Sequence, residues 1–426
     1  MNRFYKNLMI FASGTILAQV YALLTMPIIT RLFSSNDIGV MNLFVSACGL
    51  FAPIAALTFP IALILPKETD EFLQLKKLTI QITFLVSGFM LLVFLCFRSN
   101  MMEIFNFSNS FFLYLIPFVT LCAGLLQILE NSLLRYKYFK VSAKTSFTQS
   151  LYINSLKIIS GLVIPTQFSL IMISSGSNLV KIITILIQVY KKKAYEVIKV
   201  YPQKIDHLKL IKKYIDFPIY RAPQVLIHAF SQNVPIILLG FFYNPSIVAY
   251  YSIGISVLNV PVNLIGRAIG DVTYTELNDR TQNGEPLYPF VLKIILLLSL
   301  IFLIPLILII FYGTYLFETL FGNNWSVAGE MAKWTILWVM VLFIYQPVIK
   351  SYPIIKAQRF HLIYTIINLI LRIATIIISH NYFNNYMLVI ICYSIVSMII
   401  NIILLIISLY LISKFDKRNL VKTNAI

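Results

Sequence analysis

Charge is what this sequence has least of. Only 12% of its residues are charged, about half the share of a soluble globular protein, which excludes an ordinary water-soluble domain. Acidic residues are the scarcer sign, with 16 Asp and Glu against 34 Lys and Arg. Cysteine is sparse too: Cys48, Cys96, Cys122 and Cys392 all fall inside apolar runs. They make no disulfide framework and no metal-ligand spacing. No P-loop, GxGxxG, HExxH or DxD occurs, and no loop is long enough to fold as a catalytic domain. These absences exclude ATP hydrolysis and argue against an enzyme, a resident metal or a cofactor. Short segments of period-two alternation are missing as well, which excludes a transmembrane β-barrel.

What is present is hydrophobic sequence, 59% of the chain, in runs long enough to cross a bilayer core. Twelve spans are expected, at 8–29, 38–65, 78–97, 111–129, 147–164, 168–190, 222–242, 248–269, 288–311, 331–349, 361–380 and 386–412. All should be α-helices, because backbone groups in lipid must be satisfied within their own segment. The first run, behind Arg3 and Lys6, is too long for a signal-peptide core and reads as an uncleaved span. The expected fold class is an all-α integral membrane protein. Its twelve helices would form two six-helix bundles related by a parallel pseudo-twofold repeat around a central cavity. The bundles would occupy 1–190 and 221–413. Between them, 191–220 forms a connector, and 414–426 a basic tail. Within the connector, Ile205, Leu208, Ile211 and Ile215 recur at helical spacing among lysines, which predicts an amphipathic helix on the inner membrane surface.

The net charge of +18 is a topology signal rather than a nucleic-acid footprint. Most lysines and arginines fall at the N-terminus, in alternate loops and in the tail, which places both termini in the cytoplasm. Anionic lipid headgroups are the expected partners of this charge, and nucleic acid is not.

The chemistry lies in polar residues inside the apolar runs. Within 220–271, Arg221, Gln224 and His228 line one stripe, and Asn259, Asn263 and Arg267 line another, spaced by three or four. Lys157 sits mid-span with Asn154, Lys181 with Asn178, and Arg372 with Asn368. Arg31 ends the first span. A charged side chain at the bilayer centre costs about 3 kcal/mol on insertion scales. Lys157, Lys181 and Arg372 therefore need a wet cavity or a partner, and Glu130 is the only carboxylate near the N-terminal spans. A net positive cavity would take an anionic ligand. Arg31, Arg221 and Arg267 are equally placed to snorkel to water. Trp325, Trp334 and Trp338 read as interface anchors, His228 as a packing residue, and Asp70 and Glu71 as part of a solvated loop.

Short motifs add a resemblance. Gly14, Thr15, Gln19, Pro27, Thr30, Arg31, Leu32, Ser34 and Gly39 follow the order found near the N-terminus of Wzx-type polysaccharide flippases, although Ser35 and Asn36 stand where those proteins carry Pro-Glu. Arg221, Pro223 and Gln224, then Pro261, Ile265 and Gly266, then Leu320, Phe321, Gly322, Trp325, Ala328 and Gly329 continue it. The sequence thus resembles the polysaccharide transporters of the multidrug/oligosaccharidyl-lipid/polysaccharide exporter superfamily over nearly its whole length. The resemblance implies flipping of an undecaprenyl-pyrophosphate-linked oligosaccharide, an O-antigen or capsule repeat unit, to the outer leaflet of a bacterial cytoplasmic membrane. Coupling to H+ or Na+, and a polymerase and chain-length regulator of the same pathway as partners, would go with it. A multidrug cation antiporter of the superfamily would instead want buried carboxylates. A membrane polymerase or ligase of the pathway would want a large external loop, and here the longest connection is the cytoplasmic one.

Overall fold

The structure, a computed structural model, describes residues 3–200 and 206–423; the side chains of 3–12, 267, 268, 271, 275 and 419–423 lie outside that description. Every regular element among the described residues is helical. The chain divides into two compact units, Met1–Ala249 and Tyr250–Ile426.

The first unit contains α1 (Arg3–Leu32), α2 (Ser35–Phe51), the single turn α3 (Phe59–Ala62), α4 (Thr69–Cys96), α5 (Arg98–Ile104), α6 (Ser110–Arg135), α7 (Phe139–Val163), α8 (Gln167–Ser175), α9 (Ser177–Lys191), α10 (His207–Lys213) and α11 (Ala222–Phe242). Helix α12 (Pro245–Pro261) begins in it. The pair α1 and α7 packs along its whole length. Gly14 lies against Ala143, Ser150 Oγ donates to the Ala18 carbonyl at 2.7 Å, Tyr21 and Ser155 share a 2.8 Å hydrogen bond, and Gly161 lies against Leu32 and Phe33. Both helices therefore run in the same direction. Between α2 and α12 the backbones nearly touch, since a Cβ on Gly39 would lie 1.8 Å from the Pro245 carbonyl oxygen.

Two expected spans are broken. Pro53 sits in a 3-10 turn, Ala52–Ile54, at the end of α2, and Leu57 and Thr58 take left-handed backbone angles, so the run 38–65 turns instead of continuing. Thr58 Oγ1 fastens the turn by donating to the Phe217 carbonyl at 3.0 Å. At Gly176 the run 168–190 divides into α8 and α9.

Among the described residues of the connector, the expected helix corresponds to α10, two turns long. Ile205 lies outside the described residues, and Leu208 is 72% exposed. The face that packs is instead Leu210 with Tyr214, four residues apart, buried against Phe59, Phe72, Leu75 and Ile128. Lys76 on α4 is itself buried and donates to the carbonyls of Val197 at 2.6 Å and Lys199 at 3.0 Å. Asp70 and Glu71 are the first turn of α4 rather than a solvated loop, and Glu71 accepts from Tyr214 and pairs with Lys213.

The second unit continues α12 and adds α13 (Arg267–Gln282), α14 (Tyr288–Phe321), α15 (Ser326–Ile344), α16 (Gln346–Ser351), α17 (Gln358–Phe383) and α18 (Tyr386–Thr423). Helices α14 and α15 meet at Gly313 and Gly329, where a Cβ on Gly329 would lie 2.4 Å from the Gly313 carbonyl oxygen. Asp416 near the end of α18 caps α14, accepting from the amides of Leu287 at 3.0 Å and Tyr288 at 2.7 Å. Trp325 and Trp338, expected as interface anchors, are packed inside this unit. Each lies edge-on to a tyrosine, Tyr250 and Tyr393 respectively.

Among the described residues, eleven helical segments are long and apolar enough to cross a membrane, one fewer than the twelve expected. The helix that fails the test is α7. It has the length, 25 residues, or about 37 Å at 1.5 Å per residue. Its Ser, Thr, Gln, Asn and Lys residues leave it too polar.

Candidate functional site

Each intramembrane cation meets a different environment. Lys181 on α9 pairs with Glu130 on α6 at 2.5 Å, the two side chains being 13% and 32% exposed. That pairing satisfies its charge inside the first unit. Lys157, three-quarters of the way along α7, meets no carboxylate among the described residues; its Nζ lies 3.5 Å from the Met41 sulfur. A thioether is a weak acceptor and carries no charge, so the ammonium charge stays uncancelled. Asn154, one turn earlier, donates to the Ser150 carbonyl at 2.8 Å, and Asn178 on α9 is half-buried.

Arg221 opens α11 and is exposed, with Nη1 donating to Gln224 Oε1 at 2.7 Å. The segment around it is wound wider than an α-helix: Phe217–Arg221 forms one π-helical turn. Val262–Gly266, directly before Arg267, forms another. A proline lies within the first and immediately before the second, at Pro218 and Pro261. Proline removes a backbone donor and opens the ladder, and π turns recur at functional positions in helices. Asp216, Phe217, Tyr220, Arg221 and Gln224 line a shallow recess of about 200 Å³ at the first π turn. His228 is exposed one turn beyond Gln224, and Arg31 is exposed at the end of α1. Asn259 and Asn263 are half-buried, and the Arg267 side chain lies outside the described residues.

Among the described residues of the second unit, Arg372 is the buried cation, 7% exposed in the middle of α17. Its guanidinium lies 5.0 Å from the Trp338 ring centre and 5.7 Å from that of Tyr393. No acidic side chain reaches it among the described residues. Asn368 lies one turn away on the same helix, its Oδ1 buried without a hydrogen-bond partner.

Sequence reading missed several polar groups here. Lys76 gave no signal because it looked like an ordinary loop lysine. Tyr345, Tyr352 and Ser408 form a buried hydroxyl chain, with Tyr352 and Ser408 at 2.6 Å. Tyrosine is too common in this chain to single them out. The π turns have no composition signature beyond their prolines.

Comparison with solved structures places this frame. The chain matches the lipid II flippase MurJ in its inward closed conformation with a TM-score of 0.73 at 14% identity, over 97% of this chain and 91% of that one. It matches a MATE transporter in complex with MaL6 with a TM-score of 0.57 at 13% identity, over 96% and 95%. It matches an outward-facing multidrug resistance MATE family transporter of the MOP superfamily at 0.56 and 12%, over 96% of both chains. These identities speak to the fold alone, and with the bilayer-length helices they define a multi-pass membrane protein that shares the fold of those structures. Within that class, the chain belongs to the polysaccharide biosynthesis protein family, whose model matches residues 28–330. A search of curated proteins finds no match.

Proposed function

We propose that the protein is a flippase that carries an undecaprenyl-pyrophosphate-linked oligosaccharide, an O-antigen or capsule repeat unit, across the bacterial cytoplasmic membrane by alternating access. The observation that carries this reading is family membership in polysaccharide biosynthesis combined with a transporter fold. MurJ, similar in fold, is itself a lipid II flippase. On this reading α7 is the twelfth span, completing two parallel six-span repeats, with both termini cytoplasmic. It packs on α1 throughout and spends its polar side chains on neighbouring helices. The protein is then a transporter and not an enzyme.

The physical task is to move sugar hydroxyls through hydrocarbon, where each unpaired hydroxyl costs several kcal/mol. Polar side chains replace water for the sugars. The pyrophosphate meets cations: Lys157, with its charge uncancelled, and Arg31, Arg221 and Arg267, with Asn154, Asn178, Gln224, His228, Asn259 and Asn263 as polar contacts. Arginine offers a bidentate fork and lysine a point charge to such a group. A cation–drug antiporter is disfavoured by the carboxylates. Among the described residues Asp416 is the buried acid, and it is committed to capping α14.

Flipping of a lipid-linked glycan by the purified protein in proteoliposomes tests the reading. Two negative charges moving outward across a membrane negative inside gain roughly 4–5 kcal/mol at 100 mV. An imposed potential without a proton or sodium gradient should therefore bias the glycan toward the positive side. No flipping under any gradient, together with uptake of a cationic dye, would replace the flippase by the antiporter. If an ion gradient drives flipping and the potential alone does not, the carrier is an obligate antiporter. Cysteine labels at Asn244, Gly322 and Asn384 should react from outside intact cells, and labels at Thr69 and Asn283 should not; the inverse pattern reverses the direction of transport.

A further inference from the structure

The seam between α15, α17 and α18 holds more hydrogen-bonding capacity than the protein satisfies. Arg372 Nε, Trp338 Nε1 and Asn401 Nδ2 are buried donors without a protein partner. Ser394 and Ser397 add hydroxyls, and Asn368 Oδ1 is an unpartnered acceptor. Two contacts set the register of the antiparallel helices. Arg372 lies over Tyr393, and Tyr364 donates to the Ile400 carbonyl at 2.5 Å. Asn368, between Tyr364 and Arg372 on α17, therefore falls level with Ser397 on α18, and the unpartnered atoms lie along one seam.

Buried polar groups without protein partners hold water or an ion. Three features of this seam favour an ion over water alone, and an anion over a cation. It contains a full positive charge that no carboxylate cancels among the described residues. Its obligate donors outnumber its obligate acceptor. The compensation the guanidinium does receive is two aromatic faces, which stabilise a cation without neutralising it, and an uncompensated ion in a dry interior is costly. Size narrows the class. Arg372 is 7% exposed, Trp338 6%, and Ser394 and Ser397 are fully covered. So closed a seam shuts out a pyrophosphate bearing a lipid and a glycan, which narrows the ligand to a monatomic anion.

We propose that this seam is a binding site for one small monovalent inorganic anion of chloride size, seated at the Arg372 guanidinium and drawing further donors from Trp338 and the Ser394 and Ser397 hydroxyls. The site lies wholly within the second unit. It does not depend on the flippase reading, and it removes Arg372 from the set of substrate contacts. The bound anion makes Arg372 a neutral pair, and the buried charge becomes tolerable in mid-membrane.

The test is equilibrium binding of radioactive chloride to the full-length protein, purified in detergent and exchanged into gluconate. One chloride per chain should bind, bromide should compete, and chloride should raise the thermal midpoint, as a ligand specific to the folded state does. Arg372→Met should abolish both effects, and Lys157→Ala should leave them intact. Should Arg372→Met fail to fold, Trp338→Phe keeps a ring beside the guanidinium but removes the Nε1 donor. It should weaken chloride binding about tenfold, the worth of one hydrogen bond to a charge. No chloride binding to the wild-type protein means that water alone fills the seam, and the proposal fails. It fails equally if chloride binds undiminished in both Arg372→Met and Trp338→Phe. Displacement of the chloride by inorganic pyrophosphate would also overturn it, returning Arg372 to the substrate.

Discussion

The first unit answers Lys76 and Lys181 from its own chain and leaves Lys157 beside a thioether, whereas the second leaves its buried cation, Arg372, without an acid among the described residues. In Met1–Ala249 the protein itself supplies the counterpart where it can: a carboxylate for Lys181, and two backbone carbonyls for Lys76. In Tyr250–Ile426, Arg372 has aromatic faces and unpartnered donors around it, and no acid among the described residues. Burial of an ion costs several kcal/mol unless charge and hydrogen bonds are both matched. Lys181 and Lys76 are therefore structural, since their ligands are already in place. Lys157 and Arg372 are the positions where something from outside the chain gains most by binding. The difference separates cations whose counterpart is supplied by the chain from cations whose counterpart is not, and burial alone does not make that separation.

The largest break in the comparison should come at Lys157. Lys157→Ala should abolish glycan export while the protein stays in the membrane, and Lys157→Arg should keep part of it. Normal export by the alanine variant would move Lys157 to the structural group. Next comes Lys76, where the comparison predicts loss of stability and no specific role in transport. Lys76→Met leaves two carbonyls without their donor and loosens the connector from α4. A destabilisation of about 2–4 kcal/mol is expected, read as an earlier thermal unfolding in detergent; an unchanged midpoint would show that the carbonyl cage contributes nothing.

A double-mutant cycle on the ion pair should show a smaller effect. Glu130→Gln strands Lys181 and should destabilise by about 1–3 kcal/mol, and adding Lys181→Met should recover most of it. Additive losses would mean that the two side chains act independently. The smallest effect belongs to Arg221, which is exposed and bonded to Gln224. Arg221→Ala should change stability by less than about 0.5 kcal/mol, so any loss of glycan transport in that variant reports on substrate and not on folding.

Much of this was legible without a fold. Hydropathy is a sum over neighbours in sequence, so the helical class and most spans followed from composition and run length. The same arithmetic explains why α7, expected as the span 147–164, falls short of the other helices in hydropathy. Its polar residues lower the sum, and only the neighbouring helices show that Ser150, Ser155 and Gln149 are bonded to Ala18, Tyr21 and Ser177. The motif glycines were visible as letters. That Gly39 and Gly329 mark backbone contacts was not.

Sequence by itself determined that cations would sit inside bilayer-length helices, and it identified Lys157, Lys181 and Arg372 by position. Only tertiary structure decided which of them is answered. Lys181 finds Glu130 because α9 packs against α6, and Arg372 finds Trp338 and Tyr393 because α17 and α15 pack on α18. The connector turned on the same distinction, as Leu210, Tyr214 and part of Ile211 were taken into the core while Leu208 stayed exposed. Helical periodicity states which residues share a face. Packing alone states what that face meets, and a buried charge has no fixed meaning until its counterpart is known.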